Sequence, residues 1–136
     1  MEKQITVLIA EDNTLMRNTL KRLIADAPGI MTLAEASNGQ QAISLASELS
    51  PDIILMDINM SPVNGFEATR KIVSHNPAAR IIGLSLHTEI SYIKNLLQLG
   101  AKGYLTKKAS PAEIINAIKI VAAGGAYIDS SLAGKL

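Results

Sequence analysis

Residues 52–57 read DIILMD, an uninterrupted apolar run with an aspartate at each end. A short apolar run without alternation is typical of a strand that is buried on both faces, as the strands of a parallel sheet are. A carboxylate at the end of such a strand is costly to bury unless it is paired. The run therefore predicts a central parallel strand, and it makes Asp57 a candidate functional residue.

Strand-like and helix-like segments alternate on both sides of this run. Strands are predicted where β-branched and apolar residues cluster, and helices where apolar residues recur at helical spacing between turn residues. Five strands and five helices in strict alternation predict an α/β fold, a doubly wound sheet of five parallel strands with helices on both faces. The predicted strands cover residues 5–10, 31–37, 52–57, 80–86 and 102–105, and the helices begin near residues 14, 38, 64, 88 and 110.

Composition limits the classes of protein. The chain has 136 residues, 48% of them hydrophobic and 18% charged, which suits one globular domain and is inconsistent with intrinsic disorder. A formal net charge of +1 argues against a strongly basic nucleic-acid-binding domain. The absence of cysteine excludes a disulfide framework, a thiolate metal site and a cysteine nucleophile. No apolar run approaches the roughly 18 residues of a membrane span, and the N-terminus does not resemble a signal peptide. We therefore expect a cytoplasmic protein with no membrane contact.

Polar residues stand where the predicted strands end. Glu11 and Asp12 follow the first strand, Asp57 ends the third, Ser85 ends the fourth, and Lys107 follows the fifth. Because parallel strands end at one edge of the sheet, we expect these side chains to meet in one crevice. Three neighbouring acids raise one another's pKa unless a cation intervenes, and oxygen ligands suit Mg²⁺. Such a site would attract a phosphoryl group, and a carboxylate there can act as a nucleophile.

In this order the segments resemble the receiver domain of two-component response regulators. The resemblance covers residues 5 to about 124, and the fold it implies is flavodoxin-like with strand order 2-1-3-4-5. Each matching piece is weak alone, and together, each at the expected strand end, they are a strong signal. The pieces are Glu11-Asp12, Met56-Asp57-Ile58-Asn59-Met60 with Asn64-Gly65, Leu84-Ser85, and Gly103-Tyr104-Leu105-Thr106-Lys107.

The resemblance implies a role for each site residue. Asp57 is the expected phosphoacceptor, with Lys107 and Ser85 assisting the transfer. Ser85 and Tyr104 are the expected switch residues, the tyrosine turning inward after phosphorylation. Mg²⁺ is the expected cofactor, and its expected ligands are Glu11, Asp12, Asp57 and the backbone carbonyl of Asn59. Asn59 and His87 occupy positions that tune the lifetime of the acyl phosphate in that family.

The implied function is a phosphorylation-controlled signalling switch. A sensor histidine kinase would donate the phosphoryl group, and the face formed by helix 4, strand 5 and helix 5 would change in response. The domain would be a regulatory phosphoacceptor that promotes its own phosphotransfer and dephosphorylation. Two departures from the family pattern are Ser61-Pro62, where the proline usually comes one residue earlier, and Lys108, where a proline often follows the lysine.

The C-terminal residues are similar to the end of receivers of the NarL/FixJ, LuxR-type subfamily. We therefore expect a receiver over residues 1–124 and a linker or short extra turn over residues 125–136. In that subfamily a helix-turn-helix DNA-binding domain follows the receiver. The resemblance therefore implies a role in bacterial transcription regulation. It also implies that DNA is contacted only through a domain outside these residues. A homodimer is compatible with this reading.

Three alternative functions make different demands on the sequence. A phosphatase of the haloacid-dehalogenase kind needs an acid two residues after its nucleophile, where this chain has Asn59. A nucleotide- or flavin-binding module is disfavoured because the chain has no glycine-rich phosphate-binding motif. A degenerate receiver that acts as a phosphorylation-independent interaction module is left open by the altered loop at Ser61-Pro62.

Overall fold

The computed structural model describes residues 3–136, so Met1 and Glu2 of the expected receiver over residues 1–124 lie outside the described residues. Strands and helices alternate along the chain, and a short 3₁₀ helix, Ala133–Lys135, lies near its end. The strands are β1 (Ile5–Ala10), β2 (Ile30–Ala36), β3 (Ile53–Asp57), β4 (Ile81–Ser85), β5 (Gly103–Thr106) and β6 (Tyr127–Ile128). The helices are α1 (Thr14–Ala25), α2 (Gly39–Leu49), α3 (Gly65–His75), α4 (Ile90–Gln98) and α5 (Pro111–Ala122).

The strands form one parallel sheet in the order β2-β1-β3-β4-β5-β6. The predicted order of the first five strands is present, but the prediction of a five-stranded sheet was wrong because β6 extends the sheet beyond β5. Two residues carry too little periodicity to be identified as a strand from sequence. Chain order reverses between β1 and β3, so their carboxyl ends border a crevice where α/β proteins place their sites.

Each face of the sheet carries its own core. Along β3, Ile53 and Leu55 contribute to one core cluster, while Ile54 and Met56 contribute to the other. Helices α1 and α5 cover the first face, and α2, α3 and α4 cover the second. Burial on both faces explains why the strand sequence is apolar throughout rather than alternating. Within residues 3–136, no helix is both long and apolar enough to cross a membrane.

Side-chain caps define where α1, α2, α3 and α5 start. Asn13, Asn38, Asn64 and Ser110 each accept a hydrogen bond from the backbone N–H three residues later. Such a cap satisfies one of the free N–H groups of the first turn. The caps at Asn64 and Ser110 agree with the expected helix starts near residues 64 and 110.

Gly65 lets α3 begin against the end of β3. A Cβ at this position would lie 2.4 Å from the Ile58 Cα and 2.5 Å from the Asp57 carbonyl oxygen. Backbone atoms cannot move aside as a flexible side chain can, so only glycine fits here. Its N–H also donates to the carbonyl of Ile58, at 3.2 Å. This close approach fixes the loop that follows Asp57.

Candidate functional site

The predicted acidic residues meet where β1 and β3 end. Glu11 directly follows β1 and is 0% exposed, and Asp57 ends β3 and is 1% exposed, whereas Asp12 lies on the surface. One carboxylate oxygen from each of the three residues lies within 4.8 Å of the other two. The sequence therefore identified a real spatial cluster.

Lys107 joins this cluster from β5. Its Nζ lies 3.0 Å from Glu11 Oε1 and 3.2 Å from Asp57 Oδ1. Its backbone N–H donates to the carbonyl of Ser85, at 2.9 Å, which anchors the residue beside the end of β4. The ammonium group is thus held between two buried carboxylates.

Burial and mutual proximity shift the protonation of these groups. Burial, together with the neighbouring Asp57 carboxylate, raises the pKa of Glu11 to about 7, against the opposing effect of Lys107. Desolvation alone would lower the pKa of Lys107, but its contact with Glu11 and the charge of Asp57 outweigh it and raise that pKa. Near neutral pH the lysine is charged, and a proton competes with any cation for the Glu11 carboxylate.

The cluster has spare acceptor capacity for a cation. Asp57 Oδ2 is buried and has no hydrogen-bond partner among the described residues. Glu11 Oε1 contacts the Lys107 ammonium at 3.0 Å without satisfying hydrogen-bond geometry. An unpaired buried carboxylate oxygen is unfavourable, and a hard divalent cation with oxygen ligands would relieve it. The residues present therefore fit Mg²⁺.

Asn59 lies in the loop after β3, and its N–H donates to Asp57 Oδ1 at 3.0 Å. This bond holds the Asp57 carboxylate close to the loop after β3. That the Asn59 carbonyl in this loop is a metal ligand stays a prediction. The departure noted from sequence is in the same loop, where the Ser61–Pro62 peptide bond is cis.

Ser85 ends β4 with its side chain buried. Its Oγ accepts the His87 N–H at 2.9 Å and lies 3.5 Å from Asn59 Oδ1. The His87 ring also contacts the site, with Nε2 3.2 Å from Asn59 Nδ2, and it stacks on Tyr92 at a centroid distance of 4.2 Å. The Ser85 hydroxyl therefore lies between the loop after β3 and the loop after β4.

Tyr104 is completely buried, and its hydroxyl donates to the His87 carbonyl at 2.9 Å. Burial raises the pKa of this phenol, so it stays protonated and able to donate. The inward position that the resemblance associates with the phosphorylated state is the position that the ring has here. The ring thus braces the loop that carries His87.

Sequence reasoning missed two residues that hold the acidic cluster in place. Arg17 Nη1 donates to the Glu11 carbonyl at 2.8 Å, and the guanidinium also pairs with Glu35 at 3.2 Å. The Asn13 N–H donates to Glu11 Oε2 at 3.1 Å. An arginine one turn into the helix that follows an acidic pair is a signal that could have identified Arg17.

A family model and similar proteins agree with this geometry. The model for the response regulator receiver domain matches residues 7–119. The transcriptional regulatory protein DegU of Brevibacillus brevis is 42% identical over 127 residues, which are 93% of this chain and 54% of that protein. The response regulator GacA of Pseudomonas viridiflava is 38% identical over 132 residues, 97% of this chain and 62% of that protein. The chain thus spans little more than half the length of these relatives.

Solved structures of response regulators also superpose closely on this chain. The crystal structure of a LuxR-family two-component response regulator from Aurantimonas sp. SI85-9A1 superposes with a TM-score of 0.93 at 32% identity, covering 97% of this chain and 94% of that one. The signal receiver domain of the putative NarL regulator from Mycobacterium tuberculosis superposes with a TM-score of 0.87 at 27% identity, covering 90% and 99%.

Proposed function

The chain belongs to the response regulator receiver family, and from that membership we propose that Asp57 accepts a phosphoryl group from a sensor histidine kinase. One observation carries the proposal most directly. Asp57 presents a buried carboxylate oxygen that has no partner within residues 3–136, while its other oxygen is held by Lys107 and by the Asn59 N–H. The carboxylate is thereby oriented through one oxygen and left unsatisfied at the other, as expected for a group that binds a cation and reacts.

The proposed transfer is a nucleophilic substitution at phosphorus. One carboxylate oxygen of Asp57 forms the new O–P bond, and the P–N bond to the kinase imidazole breaks. The electron pair of the broken bond stays on the imidazole nitrogen, which takes a proton from solvent. Lys107 stands 3.2 Å from Asp57 Oδ1, where its positive charge stabilises the charge on the phosphoryl oxygens. Attack by water on the same phosphorus would reverse the modification.

Glu11, Asp12 and Asp57 would hold the Mg²⁺ ion, with the Asn59 carbonyl as a further ligand. When bound, the ion would neutralise negative charge between the carboxylates and the phosphoryl group. Arg17 and Asn13 serve this arrangement because they fix the backbone and one side-chain oxygen of Glu11. The fit of the cluster to an oxygen-liganded divalent cation supports this assignment.

Switching would work through Ser85 and Tyr104. A phosphoryl oxygen on Asp57 offers the Ser85 hydroxyl a charged acceptor in place of Asn59 Oδ1, a 3.5 Å contact that is weak. A shift of Ser85 would move the His87 N–H bonded to it, and with it the carbonyl that receives the Tyr104 hydroxyl. The equilibrium position of Tyr104 would then bias the face formed by α4, β5 and α5.

We place this receiver, residues 1–124, in a cytoplasmic bacterial transcription regulator. The matched relatives are named as transcriptional or response regulators, and each is longer than this chain. A helix-turn-helix domain following residues 125–136 would contact DNA, and phosphorylation would favour a homodimer of the parent protein. The receiver itself is regulatory.

Intact mass spectrometry tests the proposal. The chain is incubated with acetyl phosphate and Mg²⁺, and the expected result is one phosphoryl adduct that is absent with EDTA and absent in Asp57→Asn. Asp26→Asn is the matched control, because Asp26 is exposed and makes no side-chain hydrogen bond among the described residues. A folded wild-type chain that forms no adduct would instead support a phosphorylation-independent interaction module.

A further inference from the structure

Residues 126–135, which we call the strap, run along the outer edge of β5 after α5. Gly103 and Tyr104 of β5 pair with Tyr127 and Ile128 of β6. The N–H of Tyr127 donates to the Lys102 carbonyl at 3.0 Å. Gly103 permits this approach, since a Cβ there would lie 3.1 Å from the Tyr127 carbonyl oxygen. The strap is therefore seated on the strand that carries Tyr104 and leads to Lys107.

Asp129 fastens the strap to the end of β5. This carboxylate is 2% exposed, and its Oδ2 accepts the Thr106 N–H at 2.8 Å. Its Oδ1 accepts both the N–H and the hydroxyl of Ser131, at 3.0 and 2.7 Å. Burial alone would raise the pKa of Asp129, but these hydrogen bonds outweigh it and hold the pKa below its usual value. The group is thus an ionised, fully bonded, buried carboxylate.

The strap meets two positions of the proposed switch. The Asp129 N–H donates to the Tyr104 carbonyl at 2.8 Å, and Leu132, 1% exposed, belongs to the core cluster that contains the Tyr104 side chain. Thr106, bound by Asp129, immediately precedes Lys107 and is paired with Ser85 across the sheet. A displacement of β5 would therefore strain contacts that the strap makes with charge assistance.

A second attachment lies on α5. Glu113 Oε2 accepts the Tyr127 hydroxyl at 2.7 Å and the Ser130 N–H at 2.7 Å. Residues 127–130 of the strap are therefore tied both to α5 and to the strand before Lys107. Such double attachment makes the segment move with β5 and α5 rather than independently.

We infer that the strap couples the phosphorylation site to the C-terminal end of the chain, with Asp129 as its latch. The docked strap and the buried Tyr104 stabilise one another through β5. Phosphorylation that changes Tyr104, Thr106 or Lys107 changes strap docking, and by thermodynamic reciprocity strap docking changes phosphorylation. This inference rests on the proposed phosphoacceptor role of Asp57 for its signal, but the mechanical link from Asp129 to Lys107 exists without phosphate.

The phosphate-free arm compares Asp129→Asn with Asp26→Asn, two substitutions with the same change of charge. Amide hydrogen exchange is measured by NMR under conditions where both variants are folded. We expect the Lys107 N–H, which is bonded to Ser85 rather than to the strap, to exchange at least about 5-fold faster in Asp129→Asn only, measured relative to the β1 amides of the same variant, which correct for any loss of global stability. Unchanged exchange at Lys107 and unchanged amide shifts at Ser85 and Lys107 would overturn the inference.

The second arm runs in the opposite direction. In the wild-type chain carrying the adduct, the N–H groups of Asp129, Leu132 and Ala133 are expected to change their exchange rates by about 5-fold or more, with no change in Asp57→Asn. Complete phosphorylation by mass with rates unchanged within about twofold would overturn the coupling. If no adduct forms, the proposed function fails, and the phosphate-free arm alone decides whether Asp129 controls Lys107.

Discussion

The buried hydroxyl of Tyr104 donates a 2.9 Å hydrogen bond to the main-chain carbonyl of His87. This bond ties β5 to the loop after β4, and that loop also holds the Ser85 hydroxyl through the His87 N–H. The inward ring is therefore stabilised by the protein alone. The proposed phosphorylation would act on an equilibrium in which this conformation is already well supported.

Replacing Tyr104 with phenylalanine removes this bond and keeps the ring. We expect the free energy of unfolding to fall by about 1 kcal/mol, because a neutral hydrogen bond is lost next to a partly exposed loop. Urea denaturation measures the change. Tyr92→Phe is the control, since its hydroxyl has no hydrogen-bond partner among the described residues, and it should stay within about 0.5 kcal/mol of wild type. Equal losses in both variants would contradict the role of the Tyr104 bond.

Lys107 and Lys108 are adjacent lysines in different surroundings. Lys107 contacts two buried carboxylates, whereas Lys108 is exposed and makes no ion pair in the part of the chain that the structure describes. Lys107→Met is expected to slow adduct formation from acetyl phosphate by about 100-fold, because fixed positive charge beside the phosphoryl group is lost. Lys108→Met should keep the wild-type rate within about twofold. Time-resolved intact mass gives both rates, and similar slowing in the two variants would count against the assignment.

Mg²⁺ is expected to stabilise the chain against unfolding. Binding to the folded state only, at a concentration ten times the dissociation constant, contributes roughly 1.4 kcal/mol. Thermal unfolding with and without MgCl₂ measures this as a rise in Tm. The rise should disappear in Asp57→Asn and persist in Asp26→Asn. A rise of the same size in both variants would indicate cation binding elsewhere on the surface.

The latch at Asp129 predicts a pH-dependent stability. Its pKa lies below the usual value of 3.8 in the folded chain, so the folded state releases this proton more readily than the unfolded state does. The stabilisation is therefore complete above about pH 4 and is lost as the pH falls through the lower folded-state pKa. We expect Asp129→Asn to cost about 1–3 kcal/mol near neutral pH and progressively less in acid. Urea denaturation across pH, with Asp26→Asn as control, checks this, and a difference independent of pH would refute the ionised latch.

Substitution by alanine is expected to change the free energy of unfolding at Gly65 but not at Gly134. At Gly65 the new Cβ would lie 2.4 Å from a backbone carbon, whereas at Gly134 no atom of the described residues lies within 4 Å of it. Gly65→Ala should lower the free energy of unfolding by at least about 2 kcal/mol and disturb the loop after Asp57. Gly134→Ala should remain near wild type. Denaturation and amide spectra compare the two, and a tolerated Gly65→Ala would mean that the β3–α3 loop relaxes freely.

Most of the fold and the site could be predicted because their signals are local. The apolar run before Asp57 identified a strand buried on both faces, and the acids and lysine at strand ends identified the crevice. Arg17 was missed because its role depends on a bond to a backbone carbonyl, and the residue pattern indicates it only indirectly, by an arginine one turn into the helix after the acidic pair. The strap was missed because β6 has two residues and owes its conformation to pairing with β5. Contacts between segments distant in sequence decide such cases.

Beyond signalling, β6 alters how the sheet meets other molecules. Without β6, β5 would be the edge strand of the sheet, and the unpaired backbone groups of Gly103–Thr106 could pair with a strand of another molecule. With β6 present, the edge strand has only two residues. Beyond β6, the Thr106 N–H of β5 is already bonded to the Asp129 carboxylate. A short edge strand, or one whose N–H groups are already bonded, resists the addition of another strand, which is the usual first step of sheet-mediated aggregation. The same residues that would carry a signal onward therefore also keep the chain from polymerising along this side.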